Sequence, residues 1–291
     1  MTTDHSSEKK SPVETAGFFS IREAIKNYIK GCEGKQRSST MTLFWKAIFS
    51  GLMVGMGAAI SSVAAHSVTN VGLARLTAAV VFPVGLMMVI LLGMELFTGD
   101  CLAIMGSLDK KTKISFFFKL LIVVYLGNLV GGSLLAFLVY NSGQLNYSDG
   151  LLGAYTIKVA VGKVNLSFME AFVSGILCNI LVCFAVLMAG CAKDITGKLL
   201  AIFFVIMIFV VAGFEHCVAN MYYITAGMLA KGNPDYANLA MEAYVYTEDQ
   251  IQSLNLNGYL IKYLIPVTLG NILGGSLCVG APLYYLNKDK A

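Results

Sequence analysis

The chain has 291 residues, of which 57% are hydrophobic and only 13% charged, with a net charge of +4. Its mean hydropathy of +0.71 excludes a soluble domain of this length and defines an integral membrane protein. The excess positive charge forms no basic patch with interleaved aromatics, which argues against a nucleic-acid partner.

Residues 1–17 are polar, lack the apolar core of a signal peptide, and read as a disordered cytoplasmic tail. From Phe18 to Cys32 the apolar positions Phe18, Ile21, Ile25, Tyr28, Ile29 and Cys32 recur every three or four residues, with Arg22, Glu23, Lys26 and Lys30 between them. That period predicts an amphipathic helix over 18–37, too charged to span and lying on the cytoplasmic membrane face. Six apolar stretches follow, near 42–65, 76–106, 115–140, 166–190, 198–228 and 258–286. Each exceeds the roughly 20 residues that cross a bilayer core as helix.

The second and fifth stretches are overlong and carry ionisable residues at their centres: Gly93-Met94-Glu95-Leu96-Phe97-Thr98-Gly99-Asp100 and Gly213-Phe214-Glu215-His216-Cys217-Val218-Ala219-Asn220. A helix that stops and restarts accounts for both. Intramembrane ionisable groups face a cavity or a partner, and paired interruptions are where repeat-built transporters place their sites.

The halves match in order. Ala47-Ile48-Phe49-Ser50-Gly51 parallels Ala171-Phe172-Val173-Ser174-Gly175, the two Gly-x-Glu cores correspond, and Gly127-Asn128-Leu129-Val130-Gly131-Gly132 is echoed by Gly270-Asn271-Ile272-Leu273-Gly274-Gly275. Three spans per repeat, an odd number, predict that the second half is inverted relative to the first. The division is therefore a first repeat over 38–140, an outer loop over 141–164, a second repeat over 165–287 and a cytoplasmic tail over 288–291. A second polar outer loop is expected over 229–257. Sixteen of the 21 Lys and Arg fall on one side, leaving Arg75, Lys158, Lys163, Lys231 and Lys262 opposite, so both termini are predicted cytoplasmic.

His216 is the only histidine well inside an apolar stretch. Beside Glu215 in a predicted break, it can offer a hydrogen bond or a proton to a weak-acid anion. Thr98 stands in the first break, where its hydroxyl serves solute or histidine, or a carbonyl freed by the break. Glu95 and Glu215 would repel anions if ionised in a pore, which favours a structural role tied to backbone N–H groups or a protonated state. Lys163 either draws anions into an outer vestibule or marks the interface. Phe82, Leu86, Phe97, Val182 and Phe209 offer apolar constrictions, which suit a solute that crosses nearly neutral; membrane phenylalanines also simply face lipid. The Gly-Asn-x-x-Gly-Gly elements read first as packing devices, with Asn128 and Asn271 as alternative pore-lining amides. The seven cysteines form no CxxC pair and no cluster with histidine, so neither metal nor disulfide is expected. No nucleophile or cofactor motif accompanies His216, so neither an enzyme nor a cofactor is expected.

These motifs together resemble the formate/nitrite transporter family from the amphipathic helix to the last span. The resemblance is carried by Leu96-Phe97-Thr98 after an acidic residue, by Gly213-Phe214-Glu215-His216-x-x-Ala219-Asn220-Met221, by Gly175-Ile176-Leu177-Cys178-Asn179 with Val182, and by Gly270-Asn271-Ile272-x-Gly274-Gly275. It implies an all-α, aquaporin-like fold of six helices with the second and fifth broken, a pore in each protomer, and a homopentamer embedded in lipid in the plasma (inner) membrane. It implies that Thr98 faces His216, that Phe82, Leu86, Phe97, Val182 and Phe209 are the constrictions, that Lys163 is the vestibule lysine, and that Asn179 and Asn271 lie near the pore. The implied substrates are small monovalent weak-acid anions moved with linkage to protons, formate foremost, with nitrite, hydrosulfide, acetate and lactate as alternatives. Glu95 departs from the Asp that formate channels of the family can carry, and leaves that choice open. The rival class, a neutral-solute pore for water or glycerol, lacks paired Asn-Pro-Ala motifs; Asn233-Pro234 falls in a predicted outer loop.

Overall fold

A computed structural model describes residues 17–288. Of the expected tails, 1–17 and 288–291, all but Gly17 and Lys288 lie outside the described residues. Among the described residues, six helices are long and apolar enough to cross a membrane. The protein is a multi-pass, all-helical membrane protein.

Helix α1 (Ile21–Arg37) begins at a capping box, in which the Ser20 side chain accepts from the Glu23 amide while the Glu23 carboxylate accepts from the Ser20 amide. Its apolar stripe, Ala24, Ile25, Ile29 and Cys32, is buried against the protein, and the Phe19 amide donates to the Cys191 carbonyl at 2.7 Å. The chain then forms α2 (Thr40–Ala65), α3 (Val71–Leu91) with a turn at Phe82-Pro83, and a short apolar helix α4 (Phe97–Leu108). Next come α5 (Ile114–Asn141), α6 (Leu151–Val164), α7 (Phe168–Cys191), α8 (Ile195–Ala212) and α9 (Cys217–Lys231). The chain continues through α10 (Pro234–Tyr244) and α11 (Glu248–Gln252) to α12 (Gly258–Asn287).

Two connections differ from the expected polar loops. Within 141–164, α6 buries Leu152, Ile157, Ala160, Val161 and Val164, and it packs so closely on α9 that a Cβ at Gly227 would meet Ala160. Its stripe is short and flanked by polar turns at 142–150, so averaging over the connection hides it. Within 229–257, Asn233 caps α10, whose Pro234 occupies the first turn, and Thr247 opens α11 with a capping box of its own.

The Gly-rich elements let helices touch backbone to backbone. A side chain at Gly131 would collide with the Ile48 carbonyl, and one at Gly274 with the Ile176 carbonyl. Gly127 and Gly270 likewise face Phe44 and Phe172. These contacts pair Ile48 with Ile176, one helical turn from the register that the Ala47 and Ala171 motif match suggests. The last helix holds two wide π-type stretches, Gly258–Leu264 and Leu273–Gly280, on either side of Asn271. Such irregularities recur at functional sites.

Candidate functional site

The two Gly-x-Glu segments take the same backbone path. After Leu91, Gly93 turns at φ 65°, and the Met94 amide reaches back to the Val89 carbonyl at 2.9 Å. After Ala212, Gly213 turns at φ 75°, and the Phe214 amide reaches the Phe209 carbonyl at 3.1 Å. Both are helix ends closed by a left-handed glycine, a conformation that a β-carbon resists. Leu96 and His216 are then extended and serve as the N-cap residues of the following helices.

A buried asparagine ties down each interruption. Asn128 Oδ1 accepts from the Phe97 amide at 3.0 Å, and its Nδ2 donates to the carbonyls of Ala47 at 2.8 Å and Glu95 at 3.1 Å. Asn271 Oδ1 accepts from the Cys217 amide at 2.9 Å, and its Nδ2 donates to the carbonyls of Gly175 at 2.7 Å and Glu215 at 3.0 Å. Each amide thereby satisfies backbone groups that the interruption frees. Asn179 donates from Nδ2 to the Asn271 carbonyl at 2.6 Å, so these amides brace the site, and none of them lines either of its cavities.

His216 sits at the centre. Its Nδ1 accepts from the Ala219 amide at 3.0 Å, capping α9, and its Nε2 lies 2.9 Å from Thr98 Oγ1. A nitrogen that accepts a backbone hydrogen bond carries no proton, so the ring is neutral and its single hydrogen is on Nε2. Nε2–H donates to Thr98, whose own hydroxyl hydrogen is left for another acceptor. Phe209 stacks on the imidazole at 5.9 Å and meets Phe82 edge-on at 5.5 Å. His216 and both phenylalanines border a cavity of about 490 Å³ that also reaches Arg75, Lys158, Lys163 and Glu215.

A smaller cavity of about 80 Å³ is bordered by Leu86, Leu96, Lys35, Tyr28 and Asp100. Phe97 is buried edge-on against Tyr125 at 4.9 Å and borders neither cavity, whereas Leu96 borders the smaller one. Backbone that is extended at Leu96 sends neighbouring side chains to opposite sides. Val182 is buried and borders neither cavity.

Both glutamates are held by lysines. Glu215 Oε2 accepts from Lys163 Nζ at 2.8 Å, from Asn220 Nδ2 at 2.7 Å and from the Tyr263 hydroxyl. Glu95 pairs with Lys35 of α1 at 2.5 Å and lies 3.8 Å from Lys46 of α2; Lys35 also donates to Asp100 at 2.5 Å. Burial acts against the Lys35 ammonium, but Asp100 and Glu95 outweigh it and hold the group above the ordinary lysine range. Lys163 thus borders the larger cavity with its charge already matched. Two cations that the sequence reading did not single out, Arg75 and Lys158, border the same cavity: Arg75 donates to the Val211 and Ala212 carbonyls, and Lys158 lies over the rings of Tyr155 and Tyr244. Their grouping opposite most of the basic residues was the one available signal.

Six apolar helices that enclose a buried polar centre, with two cavities bordered by polar and charged side chains, are the features of a multi-pass membrane transport protein. The family model described as Formate/nitrite transporter matches residues 22–285, and the chain belongs to that family. A formate channel FocA of Haemophilus influenzae is 39% identical over 220 residues, covering 75% of this chain and 76% of that protein. A probable formate transporter of Methanothermobacter thermautotrophicus is 33% identical over 294 residues, covering 95% and 96%. Among solved structures, a pentameric formate channel with formate bound superposes with a TM-score of 0.73 at 30% identity, covering 85% of this chain and 97% of that one.

Proposed function

We propose that this protein passes formate, or a similarly small monovalent weak-acid anion, through a proton-linked pore in each protomer of a homopentamer in the plasma (inner) membrane. The observation that carries the reading is the buried His216–Thr98 contact, with the Phe82 and Phe209 pair beside His216 at the border of the larger cavity. The larger cavity faces outside and α1 lies on the cytoplasmic side, with both termini, because most Lys and Arg cluster there. The two interruptions are breaks at mid-membrane depth, and the halves are inverted repeats; the matching bonds of Asn128 and Asn271 support this.

On this reading, Arg75 and Lys158, with Lys163 behind them, collect the anion in the outer cavity. The Phe82 and Phe209 rings exclude its hydration shell. A carboxylate that loses water at this point needs replacement donors, and the Thr98 hydroxyl, polarised by the Nε2–H of His216, supplies one. Hydrogen bonds to charged groups contribute about 1.5–3 kcal/mol each. With Nδ1 committed to the α9 cap, His216 acts here as a hydrogen-bond donor, and the proton that makes the solute neutral comes from elsewhere. Leu86 and Leu96 form the second apolar step toward the cytoplasm.

Uptake of formate, nitrite, hydrosulfide, acetate and glycerol by proteoliposomes, at acidic and at neutral pH, tests the reading. Selective formate flux that rises with acidity is the expected result. Nitrite or hydrosulfide preferred over formate reassigns the substrate, and flux of glycerol alone refutes the anion pore.

A further inference from the structure

The two Gly-x-Glu segments follow equivalent backbone paths, and the residue five positions after each glutamate differs in a way that changes its chemistry. Asn220, five residues after Glu215, gives the glutamate a hydrogen bond from its amide. The residue five after Glu95 is Asp100, which has no hydrogen to give as a carboxylate. Both first-half carboxyls are buried, and both approach the same Lys35 ammonium at 2.5 Å. Asp100 Oδ1 takes a hydrogen from Lys35, whereas Asp100 Oδ2 and Glu95 Oε2 have no hydrogen-bond partner; Lys35 approaches Glu95 Oε2 at 2.5 Å without the alignment of a hydrogen bond. Two enclosed carboxyls gathered on one ammonium, each with an oxygen left without a hydrogen, are the arrangement in which such a pair holds one proton in common.

Apart from Lys35 and, farther off, Lys46, the groups described around the pair direct their hydrogens elsewhere. From α1, the Tyr28 hydroxyl gives its hydrogen to the Gly99 carbonyl at 2.9 Å, and Cys32 is a buried neutral thiol whose titration burial pushes up to about 12. From α2, Lys46 stands 3.8 Å from the other oxygen of Glu95. From α7, Cys183 turns its thiol toward the Thr98 carbonyl and Asn179 Oδ1. Asp100, Lys35 and Tyr28 all border the smaller cavity, so the pair is reached from that side.

We propose that Glu95 and Asp100 form a proton-binding site at the cytoplasmic mouth of the pore, exchanging one proton with the weak-acid anion in the smaller cavity. The O–H bond of the carboxyl pair breaks as the anion's oxygen takes the proton; the neutral acid moves on, and a proton from cytoplasmic water restores the pair. Lys35 balances the carboxylate left behind. The transport half of this assignment rests on the anion-pore reading above; the proton site itself does not.

Infrared difference spectra of the full chain in vesicles read the site without any flux. The wild type is expected to give the carbonyl stretch of a protonated carboxyl, shifted in D2O and titrating with pH, and both Asp100→Asn and Glu95→Gln lose it. Asp100→Asn installs the amide that the second half already has at Asn220, and Glu95→Gln is the independent check. Absence of the band in the wild type, or its survival in both variants, overturns the site. In oriented vesicles, formate flux in the wild type should depend on pH at the α1 face, and Asp100→Asn should lose that dependence. Loss of the band with an unchanged flux profile overturns the exchange with substrate. A wild type that shows the band but passes no formate refutes the anion-pore reading and leaves the proton site standing.

Discussion

Replacing Asn271 by Ala tests how the interruptions are held. The side chain is fully buried and makes three bonds, of which those to the Cys217 amide and the Glu215 carbonyl serve backbone groups that the interruption leaves without helical partners. The third acceptor, Gly175, sits inside α7 and keeps its helix. Average side-chain hydrogen bonds between membrane helices contribute about 0.6 kcal/mol. Orphaned backbone groups cost about 1–3 kcal/mol each, so two of them give about 2–6 kcal/mol. Equilibrium unfolding in mixed micelles measures the difference. Thr268→Val, which removes a side-chain pair with Tyr125 at 3.0 Å, is the matched comparison and should cost about 0.6 kcal/mol. Asn128→Ala should behave like Asn271→Ala, because its three bonds are equivalent. An Asn271→Ala loss no larger than that of Thr268→Val would refute the claim that the amides hold the interruptions.

Lys163→Met leaves Glu215 buried with only Asn220 and Tyr263 as donors, and breaking a buried ion pair costs about 3–5 kcal/mol. The double variant with Glu215→Gln should recover most of that loss in the same unfolding assay. Arg75→Gln combined with Lys158→Gln should raise the half-saturating formate concentration and remove its sensitivity to ionic strength, while Arg75→Lys retains both; this is read from uptake at graded salt. Burial holds the Lys158 ammonium below the ordinary lysine range, so its charge disappears at lower pH than that of an exposed lysine. The salt-sensitive part of uptake should therefore decline as the outer pH turns alkaline, and Lys158→Arg should abolish the decline. Phe82→Ala with Phe209→Ala opens the aromatic step, and glycerol entry measured by vesicle swelling should rise while selectivity for the anion falls.

The spans were legible because hydropathy and length suffice to mark them, and the left-handed turns at Gly93 and Gly213 because glycine precedes a glutamate within each overlong stretch. The register between the first and fourth spans was not. Small residues recur one turn apart at Ala47 and Gly51 and at Ala171 and Gly175, so a motif match can slip by four residues, and the contacts of Gly131 and Gly274, with those of Gly127 and Gly270, are what make Ile48 the counterpart of Ile176. The side of the chain that Leu96 and Phe97 face depends on one extended residue, which composition does not encode. Lys35 reads as an ordinary charge on an amphipathic helix until the fold brings it to Glu95 and Asp100. The π-type turns flanking Asn271 have no local signature beyond glycine and apolar residues.

The central claim is that the Thr98 hydroxyl, held by neutral His216, is the donor that meets the anion at its least hydrated point. Formate flux through Thr98→Val and Thr98→Ser in proteoliposomes tests it most directly. Loss of one hydrogen bond to a charged group, about 1.5–3 kcal/mol, predicts that Val lowers flux by about 10- to 150-fold while Ser retains it. Wild-type flux through Thr98→Val would contradict the account.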